Sequence, residues 1–280
     1  MCRTRLIKKK MAGVDWLNAF FERFDDLSIR EPTPTSLPRA LGFNRASVDK
    51  FFEAFMGILQ KAKAQPTNIW NMDECGLTNV HTPQKIIATK GARSVGKVTS
   101  GERGTLFTTV CAYSAAGCYL PPMLIFPRQR MTDTFMKGAS IQSIGYASPE
   151  GWTDTNLFLK WLGHLVAHVQ PSQQDQHIIL FDGHHAHKTL KAITYARAHG
   201  INMITLPPHT THKLQPLDRT FFKSLRSAYN RGCDSWMSAN AGRHIQARCC
   251  GNIWQCSREG SYTGQSNFWI PSYWLVSSQP

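Results

Sequence analysis

The clearest hydrophobic pattern in the chain is the run Ile178 to Phe181, four apolar residues that stop at Asp182, Gly183 and three histidines in HIILFDGHHAH. A short continuous apolar run closed by a glycine predicts a strand covered on both faces, because no polar residue alternates with the apolar ones. Asn68 to Asp73 is a second apolar-rich run that ends in an acid, and Ile201 to Leu206 is a third short run. Thr105 to Tyr113 and Met123 to Phe126, rich in β-branched and aromatic side chains and bounded by Gly and Pro, predict strands before the central one. Helical spacing appears between them. Asp154 to Val169 carries Leu157, Phe158, Trp161, Leu162 and Leu165 on one stripe, with Thr153 or Asp154 as cap. A helix between Lys188 and His199 leads to the Ile201 strand, and another begins at Asp218 with Phe221, Phe222, Leu225 and Tyr229. Toward the N-terminus, helices are expected over 15–24, with Trp16, Leu17, Phe20, Phe21 and Phe24 on one stripe, over 36–43, and over 46–59 with Ser47 as N-cap. The pattern predicts an α/β domain preceded by a short helical segment.

Chemistry concentrates where the apolar runs end. Asp73 closes one run, Asp182 closes another, and Asp218 lies beyond the third in LPPHTTHKLQPLD. In sheets with parallel strands, ligands gather outside the carboxyl ends of the strands. A carboxylate held there is costly unless a cation or hydrogen-bond donors meet it, and three converging carboxylates suit divalent ions with hard oxygen ligands. Read singly, Asp182 also fits a cap on the turn into the next helix, and Asp218 fits a helix N-cap.

Taken together, NMDECGL, VGKVTSGERGTLFTTVCAYSAAGCYLPPMLIFPR, LFDGHHAH and LPPHTTHKLQPLD resemble the DDE superfamily endonuclease domain of pogo, Tigger and jerky transposases, from about Asn68 to about Tyr229. The resemblance implies an RNase H-like fold, with a mixed sheet flanked by helices, and a catalytic, metal-binding triad at Asp73, Asp182 and Asp218. The 35 residues between the last two (218 minus 182, minus one) leave room for a helix, a strand and a loop. The implied cofactor is Mg²⁺ or Mn²⁺, two ions roughly 3.5 to 4 Å apart that activate the attacking oxygen and stabilise the leaving one. The implied partner is DNA, the implied compartment the nucleus, and a homo-oligomer is expected. AGVDWLNAFFERFDDLSIREPTPTSLPRALGFN resembles the end of the helix-turn-helix region that precedes the DDE domain in the same family, with most of that region missing.

Composition sharpens this picture. A chain of 280 residues with 42% hydrophobic content can bury a sizeable core. Its net charge of +14 points to a polyanion partner. No apolar run approaches the length of a membrane span, and the basic N-terminus lacks a signal-peptide core. Eight cysteines without a CxxC pair suggest a reducing compartment. Arg3, Arg5, Lys8, Lys9 and Lys10 form a basic arm that fits a phosphate contact, a nuclear address or a solvated end. Lys85, Lys90, Arg93, Lys97 and Arg103, with only Glu102 against them, are the candidate DNA-phosphate surface.

Around the triad, Asn71 shares the face of Asp73 and is expected to orient a water or a phosphate, whereas Glu74 should point to the opposite face. His184 and His187 are expected to brace the active-site loop or move protons. Together with His185, His209 and His212 they also admit a zinc-hydrolase reading. The chain divides into a helical linker with a helix-turn-helix remnant (1–63), the endonuclease domain (64–235) and a divergent tail (236–280). Trp has one codon, TGG, so reading the tail one nucleotide later turns each Trp into Gly. Suitable codons then spell a GF, TG and PLN pattern that resembles the end of the family, and a frameshift near Ile245 is the expectation. The function expected is a metal-dependent endonuclease that cuts or joins DNA phosphodiester bonds; a non-catalytic nucleic-acid-binding remnant is the alternative.

Overall fold

The computed structural model describes residues 13–32, 36–78, 80, 82, 87–93, 96 and 104–239. The basic arm, the tail expected to be out of frame, and Lys85, Lys97 and Arg103 lie outside these residues. Helix α1 (Val14–Phe21) belongs to a unit spanning Met1–Ala40, and helix α2 (Leu37–Gly42) crosses into the larger unit, Leu41–Pro280. Next come α3 (Arg45–Ala62), β1 (Ile69–Thr78), β2 (Leu106–Ser114), β3 (Tyr119–Pro127), β4 (Ile144–Ser148) and α4 (Thr155–Val169). The remainder is β5 (His177–Phe181), α5 (Leu190–Ala198), β6 (Ile201–Thr205), α6 (Thr211–Leu214), α7 (Pro216–Thr220) and α8 (Phe222–Ala239).

The α1 helix stops at Phe21 and buries none of its residues, so Phe24 falls beyond the stripe expected for it. Its aromatic rings meet one another instead: Trp16 stacks on Phe20 at 5.3 Å, and Phe20 lies 4.8 Å from Phe24.

In the larger unit the six strands lie in the order β4-β3-β2-β1-β5-β6. The strands β1, β2 and β3 form an antiparallel meander, and β5 and β6 add in parallel on the far side of β1. Both faces are covered. Alternate residues of the central strands separate two cores: Trp70, Met72, Ile179 and Phe181 pack with Phe158, Trp161, Leu162 and Leu165 of α4 and Ala192 of α5. On the other face Cys75, Leu77, Cys111 and Leu124 meet Phe222, Leu225 and Tyr229 of α8, while Ile178 and Leu180 meet Phe51 and Phe55 of α3. This two-sided burial is why β5 reads as an unbroken apolar run. Truncating the fully buried Trp161 to Ala removes a large filled volume and costs about 3 to 5 kcal/mol.

Several local readings shift. The N-cap of α3 is Asn44, whose side chain accepts from the Ser47 backbone N–H at 2.9 Å; Ser47 is the third helical residue. Asp154 does cap α4, accepting from Leu157 N–H at 2.8 Å. The run ending at Asp73 continues as strand to Thr78, because β2 pairs with it throughout while β5 pairs only through Asn71. Between α5 and β6 the chain reverses at Gly200, with φ +72°, where any Cβ would collide with the Ser172 carbonyl.

Candidate active site

The β1/β5 register brings the first two acids together. Asn71 pairs with Leu180 in parallel as the last pair between the two strands, and Asp73 and Asp182 each follow it by two residues. Adjacent strands lie about 4.8 Å apart, so the two acids leave the sheet at the same end from neighbouring positions. The third acid arrives from the opposite end of the sequence. Asp218 sits in the first turn of α7; Pro216 opens that helix and Gln215 occupies the cap position, so Asp218 is not the N-cap. Burial raises the Asp73 carboxyl to about 8, against one backbone N–H bond that lowers it, and the charges of Asp218, Asp182 and Glu74 push it further up. Three acids therefore act on one half-buried carboxyl.

A buried amide holds α7 in place. Asn71, fully buried, donates to the Leu180 carbonyl at 3.0 Å and to Gln215 Oε1 at 2.7 Å, and accepts from Leu217 N–H at 3.3 Å. Gln215 in turn donates to the Met72 carbonyl at 3.3 Å. Asn71 thus spends itself on protein groups and does not turn to a water or a phosphate; its place is to tie β1, β5 and α7 together two residues from Asp73. Such a satisfied buried network fixes geometry, and removing one member leaves orphaned groups costing about 1 to 3 kcal/mol each.

Asp182 is held from the other side. Its Oδ1 accepts from the His184 backbone N–H at 3.1 Å and from His187 Nδ1 at 3.1 Å. Burial pushes the Asp182 carboxyl up, yet these two hydrogen bonds and the histidine charges hold it below the ordinary aspartate value. The second ring nitrogen of His187 lies 3.3 Å from Glu74 Oε1. Burial works against the imidazolium, but the two carboxylates prevail and raise His187 to about 9. Phe158 and Phe181 close on its ring at 4.5 and 5.4 Å. Glu74 follows the opposite-face alternation expected of it, beside Met72, and still reaches the site because His187 bridges around the strand ends.

Elsewhere, His184 is exposed, its ring 4.6 Å from His185 and 5.4 Å from His187. Lys90 and Arg93 are exposed. Among the described residues no three His, Cys, Asp or Glu side chains stand close enough to ligate one ion as placed. Mg²⁺ needs only one or two carboxylates when waters and substrate phosphates complete its shell, so this all-oxygen set suits it and gives zinc no closed ligand cage. Sequence reasoning missed Gln215, Lys188, whose ammonium lies 3.8 Å from where a Gly183 Cβ would stand, and Arg226, whose charge acts on the Cys75 thiol; it placed Glu74 on its face without its contact to His187. Gln215 sits inside a quoted motif; Lys188 and Arg226 left no signal beyond their charge.

Comparison with known proteins agrees with this architecture. The chain is 23% identical over 237 residues to the human pogo transposable element with KRAB domain, covering 81% of this chain and 37% of that protein. It is 27% identical over 167 residues to the Cochliobolus lunatus protein named MFS-type transporter clz9, covering 59% of this chain and 18% of that one. The chain thus spans well under half of either relative, and no helix of the described residues is long and apolar enough to cross a membrane. Among solved structures, the Mos1 mariner paired end complex with Mn superposes with a TM-score of 0.51 at 12% identity, covering 92% of this chain and 75% of that one. A pre-cleavage Mos1 transpososome gives 0.50 at 11%, covering 96% and 79%. These likenesses show the RNase H-like fold. The profile of the DDE superfamily endonucleases matches residues 103–258, more than half of the chain, and the chain belongs to that family.

Proposed function

We propose that the unit built on the six-stranded sheet binds DNA and, with divalent cations, cuts or joins its phosphodiester bonds at Asp73, Asp182 and Asp218. The observation that carries this reading is the placement of the acids: Asp73 and Asp182 each follow the last pair of two neighbouring strands and Asp218 lies in the helix tied to β1 by Asn71, a crowding that raises the Asp73 carboxyl and that a divalent cation relieves. The family supports the chemistry, and the Mos1 paired end complex with Mn supports Mg²⁺ or Mn²⁺ as the ion, two of them on this reading. When bound, such ions activate the attacking oxygen and stabilise the leaving one.

The chain's own residues do the positioning. Asp73 and Asp182 would hold the cations from neighbouring strands, and Asp218 from the turn of α7. Because His187 and the His184 N–H both engage Oδ1 of Asp182, Oδ2 is the oxygen a cation would take. Glu74 holds the far nitrogen of His187, and the rings of Phe158 and Phe181 pack on the imidazole. On this reading the site of action is the nucleus.

Incubating the purified chain with supercoiled plasmid and Mg²⁺ or Mn²⁺ tests the proposal. Nicked and linear products that disappear with EDTA and in Asp73→Asn are expected. Binding of the plasmid with no cation-dependent nicking would overturn catalysis and leave a nucleic-acid-binding protein.

A further inference from the structure

The third carboxylate opens a helical segment with an unbalanced charge. From Arg219 to Cys233 the chain carries Arg219, Lys223, Arg226 and Arg231 and no acidic residue. Phe222, Leu225, Ala228, Tyr229 and Cys233 are buried on the sheet, whereas Arg219, Lys223 and Arg226 are exposed. Lys223 follows Arg219 by four residues and Arg226 follows Lys223 by three, so the cations form one line along the solvent side of α7 and α8. Seven residues of helix cover about 10.5 Å, a span that reaches neighbouring phosphates on a nucleic-acid strand.

A solvated helix face explains exposed cations, but it does not explain where this line starts. Asp218, the third acid, sits in α7 directly before Arg219, and at the other end the Arg226 guanidinium lies over the Phe222 ring at 5.8 Å. Phe222 and Leu225, on the buried side of the same helix, pack in one cluster with Cys75 of β1. Cys75 is two residues from Asp73 on the same face of β1. The stripe therefore borders the acid pocket. A polyanion approaching three carboxylates is repelled until cations screen them, and a row of fixed positive charges beside the pocket offsets that repulsion.

We propose that Arg219, Lys223 and Arg226 form a phosphate-contacting track that lays a DNA strand along α7 and α8 and leads it to the carboxylates. This rests on the reading of the chain as a DNA-binding endonuclease. It assigns the contact to a helix of the sheet-bearing unit, apart from the loop that carries Lys90 and Arg93.

The test compares the whole chain with the variant Arg219→Gln, Lys223→Gln, Arg226→Gln and with a control that removes the same charge from other exposed positions, Lys50→Gln, Lys61→Gln, Lys191→Gln. Binding to a labelled duplex is titrated across a salt series, with circular dichroism to verify folding. Each phosphate contact contributes about 0.9 to the slope of log affinity against log salt, so the track variant should lose about 2.7 of that slope. The control should keep the wild-type slope. Equal slopes for the two variants would overturn the track while leaving DNA binding intact. A wild-type chain that binds no duplex would overturn the underlying reading and the track with it.

Discussion

Two buried histidines flank β5, and they answer burial in opposite ways. His177 opens the strand and is 4% exposed; His187 follows its end and is 2% exposed. Both lie against side chains of β1. Trp70 donates its indole N–H to His177 Nδ1 at 3.1 Å, so that nitrogen carries no proton, and the carboxylate facing its other nitrogen, that of Asp175, stands 3.8 Å away and is solvated. Burial holds His177 below its ordinary value, with Asp175 opposing. His187, between Asp182 and Glu74, goes to about 9. Equal burial therefore yields a neutral ring at the closed end of the strand and a cation at the end where the acids gather. The partner, and not the dryness, decides the charge.

The sharpest way to break the charged end is to remove its acids. Asp182→Asn should lower cation-dependent plasmid nicking by roughly a thousandfold or more, the scale on which losing one member of a cooperating set acts. Asp73→Asn should do the same, yet melt at a higher temperature than wild type in cation-free buffer, since it removes a carboxyl crowded by three others. His187→Ala leaves the acids and removes the bridge between Asp182 and Glu74. Losses of about 10- to 100-fold in Mn²⁺ affinity, read by calorimetry, and in nicking are expected, the range for a residue that orients a metal ligand. Glu74→Gln keeps a hydrogen-bond partner for His187 and should cost less than about tenfold in the same assays.

The neutral end gives the smallest effect and the opposite control. His177 has a folded value below 6.5, so its contribution to stability is complete above pH 6.5. It is lost as pH falls below 6.5, because the unfolded chain takes up a proton that the native ring resists. Urea melts of wild type and His177→Gln at pH 7.5 and 5.5 should diverge at the lower pH by no more than about 1.4 kcal/mol per pH unit. Identical pH dependence in the two proteins would show that burial does not keep the ring neutral.

The apolar runs were legible wherever a strand is buried on both faces. That is why Ile178 to Phe181 and the stripe of α4 read correctly, and why Asp73 and Asp182 could be expected side by side. The edge strand β4, whose Ile144 to Ala147 are only half-buried, has no such run and was not seen. The run was expected to end at Asp73, yet β2 keeps the following ECGLT extended to Thr78. Asn71 and Glu74 were visible as residues, but their partners are 144 and 113 positions away, and no local pattern encodes which side chain a strand residue will meet across that distance.

That 144-residue separation between Asn71 and Gln215 also has a temporal meaning. At about 5 to 20 residues per second of synthesis, β1 emerges roughly 7 to 30 seconds before the amide that completes its inner face. During that interval Asn71 has no Gln215 to donate to and no Leu217 N–H to accept from, so the meander β1-β2-β3 cannot close its core against α8. The acids follow the same order, Asp73 first, Asp218 last. A nascent chain therefore has no complete carboxylate set until almost the entire domain has been made, and the seal that ends the aggregation-prone interval is the same one that delivers the third acid.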